Sequence, residues 1–348
     1  MPHILFTLGR GHRIVFRLVI AFTNAALRWQ MVGLAITLMS CAGDRAVNRK
    51  TCHPEGWNLL KVREMIENQG RDGQKIVTIF DDIYNLDDCS AYFRAMDHAG
   101  FCTAHHAVAQ FRKTRDALAR LRGLEAVNVM DFASGYGIAA ALMRHDIKLD
   151  DVLCRYRDGW FDQASAKDII AADAKWYGGH RRRGLQDRFA GIDIAARALS
   201  YGCDVGIFDA GFAEDLQANA PSDDLQHWLS TCDLIVECGS VAHMLPGALA
   251  RVLDAAERRP WVITAPIRGN DTAEAIEVMQ SRGMVVEVLD VPPFRHRRFA
   301  DVDEQARAIA NARARGHDTD GYESAGYFHA QLFLARPEDE ATPVANWP

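Results

Sequence analysis

The chain has 348 residues, a formal net charge of −6 and 49% apolar residues. That length suits one large α/β domain with additions better than two independent domains, and the acidic balance gives no overall pull toward nucleic acid or an anionic membrane. None of the eight cysteines stands in a C-x-x-C pair and several lie in apolar runs, which favours reduced core thiols over disulfides or a zinc site.

Residues 1–50 are an apolar extension unlike the rest. Arg17, Arg28 and Gln30 interrupt the run where a membrane span would not accept them. The phrase LMSC before Ala42 is similar to a lipobox with Met39 a poor fit, so an over-early start codon ranks first, with Met31, Met39 and Met65 as alternative starts. Membrane association through residues 1–40 is the lesser alternative to a cytoplasmic protein. A linker is expected over 51–78 and a helical lid over 79–122, in which Tyr92, Phe93, Met96 and the stretch HAGFCTAHHA cover the cofactor and substrate. Asp81, Asp82, Asp87 and Asp88 read as solvated caps rather than metal ligands, and no metal is expected. His105 and His106, as helix neighbours, should point apart.

The main domain is expected over 123–336, with a tail over 337–348. Its first motif is VNVMDFASGYGIAAALMRHD, Val127 to Asp146. Val127, Val129 and Met130 read as a buried strand, and Ala139, Ala140, Leu142 and Met143 recur at helical spacing behind the turn. Gly135 and Gly137 permit the tight turn and close ligand approach that a nucleotide cradle needs. Gly135, Gly137 and Ala140 also satisfy the literal dinucleotide pattern G-x-G-x-x-G/A. Asp131, four positions before Gly135, decides against that reading: a carboxylate there repels a pyrophosphate and suits an ammonium or sulfonium.

An insertion follows over 149–187, too long for a plain loop. Trp160, Phe161, Trp176 and Tyr177 give it aromatic surface, and Gly178 to Arg183 a basic cluster read first as a solvated loop, with the holding of an anionic substrate such as a carboxylate or a carrier's phosphopantetheine as the alternative. Four more strands come next: Phe189–Ile194 ending near Asp193, Val205–Asp209, Cys232–Glu237, and Trp261–Ala265. Helical segments between them give the alternation of a parallel doubly wound sheet. Asp193 is placed to accept both hydroxyls of a ribose, with a helix N-cap as the structural alternative. Asp209 is placed to receive an adenine amino group.

DFASGYG, FAGIDIAARAL and GIFDAGFAEDL resemble the first three motifs of the class I S-adenosylmethionine-dependent methyltransferases, over about Ile79 to Arg336. LDDVLCRY and the tail from Pro292 are similar to those of bacterial biosynthetic-cluster methyltransferases that act on small molecules. One departure is Ala133, where the family often has glycine. The resemblance implies a Rossmann-like, mostly parallel seven-stranded sheet with an antiparallel last strand and S-adenosyl-L-methionine as cofactor. It places the cofactor against Asp131, Ala133, Ser134, Gly135, Tyr136 and Gly137, then Asp193 and Ile194, then Asp209, Ala210 and Gly211, and finally Glu237 and Cys238.

After the sixth strand, Val285 to Val291, the run Phe294 to Phe299 is read as serving anion binding or the docking of a helix over Val302 to Arg315. The last strand is expected over Tyr327 to Leu334. Direct displacement at a sulfonium methyl needs alignment and exclusion of water more than a base. His243, behind the fourth strand, is the first candidate for a proton acceptor. The expected activity is methyl transfer to a small molecule, with no nucleic acid partner and the oligomeric state open. An NAD(P)-dependent oxidoreductase and a non-catalytic S-adenosylmethionine-binding protein are the alternatives.

Overall fold

The computed structural model describes residues 83–239 and 245–343. The extension over 1–50, the linker over 51–78 and His243 lie outside the described residues.

Two helices lead in: α1 (Ser90–Ala99) and α2 (Thr103–Arg122). Each ends on a glycine in the left-handed region, Gly100 and Gly123, whose amide closes the last turn. The strand β1 (Asn128–Phe132) feeds the glycine turn and the short helix α3 (Ile138–Arg144). The insertion forms α4 (Leu149–Cys154), a single 3-10 turn at Trp160–Gln163, and α5 (Ala166–Gly179), which Ser165 caps through the Asp168 amide. The alternation then runs β2 (Arg188–Asp193), α6 (Ala196–Asp204), β3 (Ala210–Ala213), α7 (Asp223–Ser230), β4 (Leu234–Glu237), α8 (Pro246–Ala255), β5 (Trp261–Thr264), α9 (Ala273–Gln280) and β6 (Met284–Val288). A hairpin-like extra layer, β7 (Phe294–Arg298) and β8 (Tyr327–Ala330), encloses α10 (Val302–Ala314), and β9 (Phe333–Pro337) closes the chain.

The seven-stranded sheet has the order β3-β2-β1-β4-β5-β9-β6. All neighbours are parallel except β9, which runs antiparallel between β5 and β6. This is the Rossmann-like sheet with an antiparallel last strand that the resemblance implies. Period-two alternation divides its apolar residues between two cores: Val129, Leu234, Val236 and Ile263 face one, and Met130, Phe132, Ile235 and Val262 face the other. The first core is covered by α1 to α6 and the second by α7, α8 and α9.

Two strands and a histidine pair differ from the sequence reading. Val205–Asp209 is not a strand; β3 begins only at Ala210. Gly206 turns the chain at φ 79, the amides of Ile207 and Phe208 both bond to the Gly202 carbonyl, and the apolar run becomes a plug behind α6. The single strand expected over Tyr327–Leu334 is divided: β8 pairs with β7, and β9 alone enters the main sheet. The run Phe294–Phe299 supplies β7, and Arg297 docks α10 through Glu304 at 2.7 Å with both side chains buried. His105 and His106 do not point apart. Their rings meet at 5.1 Å in the first turn of α2, with His106 also against Phe294.

Candidate functional site

Parallel strands deliver their carboxyl ends to one edge, and the turns leaving that edge are where a fold of this kind can hold a ligand. Three adjacent strands carry an acid at or one residue before that end: Asp131 on β1, Asp193 on β2 and Glu237 on β4. All three are buried.

The turn after β1 is built around its glycines and the acids. Gly135 (φ +50) and Gly137 (φ +77) lie in the left-handed region, and a Cβ on Gly137 would stand 2.7 Å from Phe208 and 2.9 Å from Ile207. The plug that displaced the expected third strand is thus what the glycine turn rests on. Ala133 also has positive φ, at 55, so the residue that departs from the family's glycine holds a conformation glycine adopts at no steric cost. Ser134 is buried beneath the turn, its hydroxyl without a hydrogen-bond partner and packed where a Cβ on Gly191 would fall. The Tyr136 ring lies in the core, and its hydroxyl bonds to both backbone groups of Leu86 at 3.0 and 3.1 Å.

Asp131 accepts the Ala140 amide at 3.2 Å. Burial raises its carboxyl well above the usual carboxylate range; the Ala140 amide opposes this, while the charges of Glu237 and Asp193 add to it. Asp193 accepts the Gly135 amide at 2.8 Å, the Ala195 amide at 2.9 Å and the Tyr84 hydroxyl at 3.0 Å. The neighbouring Ile194 is 74% exposed, an apolar side chain offered to a ligand or to water just beyond the acid. On β4, Glu237 accepts the Thr264 hydroxyl and the Ala265 amide, and burial raises the Cys238 thiol well above its ordinary value.

Asp209, Ala210 and Gly211 are not part of this edge. Asp209 pairs with Arg144 at 2.7 and 2.9 Å and accepts the amide of Phe189, at the start of β2, so it sits at the amino end of the sheet. Ala210 and Gly211 open β3, beside Ala190 and Gly191. Because β3 begins later than expected, its carboxyl end, and the place beside Asp193, belong to Ala213 and Glu214, whose amide bonds to the Asp193 carbonyl at 3.1 Å.

Sequence reasoning missed Tyr84 and His296 and placed Tyr92 only within the lid. Tyr84 lies over the turn, its hydroxyl 2.7 Å from where a Cβ on Gly135 would stand. Tyr92 packs on Tyr84 at 5.6 Å and on Tyr136 at 5.2 Å, and its phenol is raised by burial and then by the charge of Asp193. His296, on β7, is buried with Nδ1 2.6 Å from the Thr103 hydroxyl and 3.0 Å from where a Cβ on Gly239 would stand, just past Cys238. Burial, then the adjacent Arg297 charge, lowers its pKa to about 3, which makes it a neutral imidazole at physiological pH. Tyr84 meets Asp193 and His296 meets Thr103 across more than a hundred positions of chain; only the aromatic content of the lid region hinted at the two tyrosines.

No protein-family model matches the chain. The comparison with curated proteins finds no match either. Among solved structures, the chain is similar to YcgJ from Bacillus subtilis at 11% identity and a TM-score of 0.37, covering 67% of this chain and 98% of that one. A TehB-like SAM-dependent methyltransferase from Corynebacterium glutamicum matches at 14% identity and a TM-score of 0.35, over 70% of this chain and 94% of that one. Magnesium protoporphyrin IX methyltransferase from Synechocystis, solved with SAM bound, matches at 11% identity and a TM-score of 0.31, over 82% and 100%.

Proposed function

We propose that the chain is an S-adenosyl-L-methionine-dependent methyltransferase acting on a small molecule in the cytoplasm. The observation that carries the reading is the edge itself, where three buried acidic residues, Asp131, Asp193 and Glu237, stand together on adjacent parallel strands. Such an edge repels the pyrophosphate of a nicotinamide dinucleotide and attracts a ligand that brings an ammonium and a sulfonium. In this reading Asp131 faces the cationic end, Asp193 takes the ribose, and Ile194 packs against the adenine. S-adenosylmethionine supplies an electrophilic methyl group.

The chain's own residues then have to align an acceptor and keep water out. Tyr92, Cys238 and His296 are the groups that border the acceptor's position. His296 is neutral and can take a proton if the acceptor carries one, alongside the earlier candidate His243. The absence of charge bias toward nucleic acid supports a small acceptor.

The test is partition of label. The full chain is incubated with methyl-tritiated S-adenosylmethionine and a bacterial extract separated into small-molecule, protein and nucleic-acid pools. Enzyme-dependent label in the small-molecule pool is the expected result. Label in either macromolecular pool overturns the acceptor class, and cofactor binding with no transfer to any pool favours the non-catalytic alternative.

A further inference from the structure

The insertion carries a groove of its own, with a volume of about 490 Å³, lined by Arg155, Trp160, Lys175, Trp176 and His180 together with small residues of α5. None of its lining residues is acidic. The volume lies within the range of small-molecule sites. Ala172, Lys175, Trp176 and Gly179 recur at i, i+3, i+4 and i+7 along α5, so a single helical face supplies one wall, with His180 at the cap just past its end. Arg155 and Trp160 supply the other.

The walls are fixed before any ligand arrives. Asp173, fully buried, takes Nε and Nη2 of Arg155 at 3.2 and 2.5 Å, leaving Nη1 outside that pair. The held guanidinium lies 4.6 Å from the Trp176 ring centroid and 5.9 Å from that of Trp160. The Trp160 indole N–H donates to the Arg155 carbonyl at 2.5 Å, yet the side chain remains 41% exposed. Trp176 is held by the His180 ring at 4.7 Å. Beyond His180, Arg181 and Arg183 are exposed and add positive charge to that end. The groove is separate from the carboxyl edge: the His180 carbonyl accepts the amide of Asp146, past the end of α3 away from the glycine turn.

We propose that this groove is a second binding site that takes a planar aromatic anion. A flat ring gains dispersion and quadrupole contact against a pre-ordered indole. A carboxylate or phosphate on that ring meets Nη1 of Arg155 and the Lys175 ammonium. Two tryptophans and an arginine already locked in place reduce the entropy lost on binding.

The probe pair is 2-naphthoate and its neutral counterpart 2-naphthamide, titrated into the full chain with 15N-labelled tryptophan. The seven indole signals are resolved by proton–nitrogen correlation, and Trp160→Phe and Trp176→Phe assign two of them. The expected result is a saturable shift of those two signals by naphthoate, about tenfold stronger than by naphthamide. Lys175→Glu, on the exposed rim, weakens naphthoate about fivefold and leaves naphthamide unchanged. Equal binding of the two probes, or no saturable shift at either indole, overturns the proposal. Neither outcome depends on whether the carboxyl edge binds S-adenosylmethionine.

Discussion

The Tyr84 hydroxyl donates to Asp193 Oδ2 at 3.0 Å, on the same carboxylate oxygen that accepts the Gly135 amide. The phenol therefore stands where the proposed reading puts a ribose hydroxyl, and burial followed by the charge of Asp193 raises it well above its ordinary value, which keeps it a donor. The cofactor must displace it. Tyr84→Phe removes one competing hydrogen bond of about 1 kcal/mol, so S-adenosylmethionine should bind roughly fivefold more tightly to the variant. Weaker binding would show instead that the hydroxyl contacts the cofactor.

Ala133 is held at φ 55 with a side chain that disfavours it. Left-handed backbone costs a non-glycine residue about 1–2 kcal/mol, part of which glycine returns through its freer unfolded chain. Ala133→Gly is expected to stabilise the fold by about 1 kcal/mol and to raise Tm by roughly 2–4 °C in a thermal scan. An unchanged or lowered Tm would mean that the alanine methyl makes compensating contacts.

The Arg297–Glu304 pair fixes α10 to β7 with both side chains nearly inaccessible. Burial pushes the Glu304 carboxyl up, but the Arg297 and Ala300 hydrogen bonds outweigh it, and the net shift is downward. A depressed folded-state pKa contributes stability above the unfolded value of about 4.3 that is lost as pH falls through the folded value. Glu304→Gln leaves the guanidinium without its counter-charge, so a loss of about 3 kcal/mol is expected in urea titrations at neutral pH. The loss should shrink toward acid.

Asp131 has the opposite sign. With its folded-state pKa raised, its contribution to stability is fully present below the unfolded value and is lost as pH rises through the folded value. A bound cation favours the charged carboxylate. S-adenosylmethionine binding should therefore release a proton and tighten with rising pH across that window. Calorimetry in buffers of different ionisation enthalpy measures the proton count directly, and Asp131→Asn should remove it.

Much of the fold was legible because strands buried on both faces write themselves as short apolar runs ended by acid or glycine. Val129 to Asp131, Phe189 to Asp193 and Leu234 to Glu237 are such runs, and each became a strand of the central sheet. Val205 to Phe208 looks the same in sequence but packs as a plug, because Gly206 turns the chain and the Gly202 carbonyl captures two amides. That local capture made β3 begin at Ala210 and end at Ala213, and left Asp209 at the opposite edge from Asp131 and Asp193. Tyr84 and His296 were not legible, since the partners that give them meaning, Asp193 and Thr103, lie far along the chain.

The central claim is that the acid-tipped edge holds a cationic cofactor. Calorimetric titration of the full chain and of Asp131→Asn with S-adenosylmethionine and with NAD tests it most directly. The account predicts binding of S-adenosylmethionine at a Kd on the order of micromolar, about −8 kcal/mol. It also predicts at least roughly tenfold weaker binding to a folded Asp131→Asn, and no binding of NAD. Binding of NAD in place of S-adenosylmethionine, or an affinity untouched by the substitution, would contradict it.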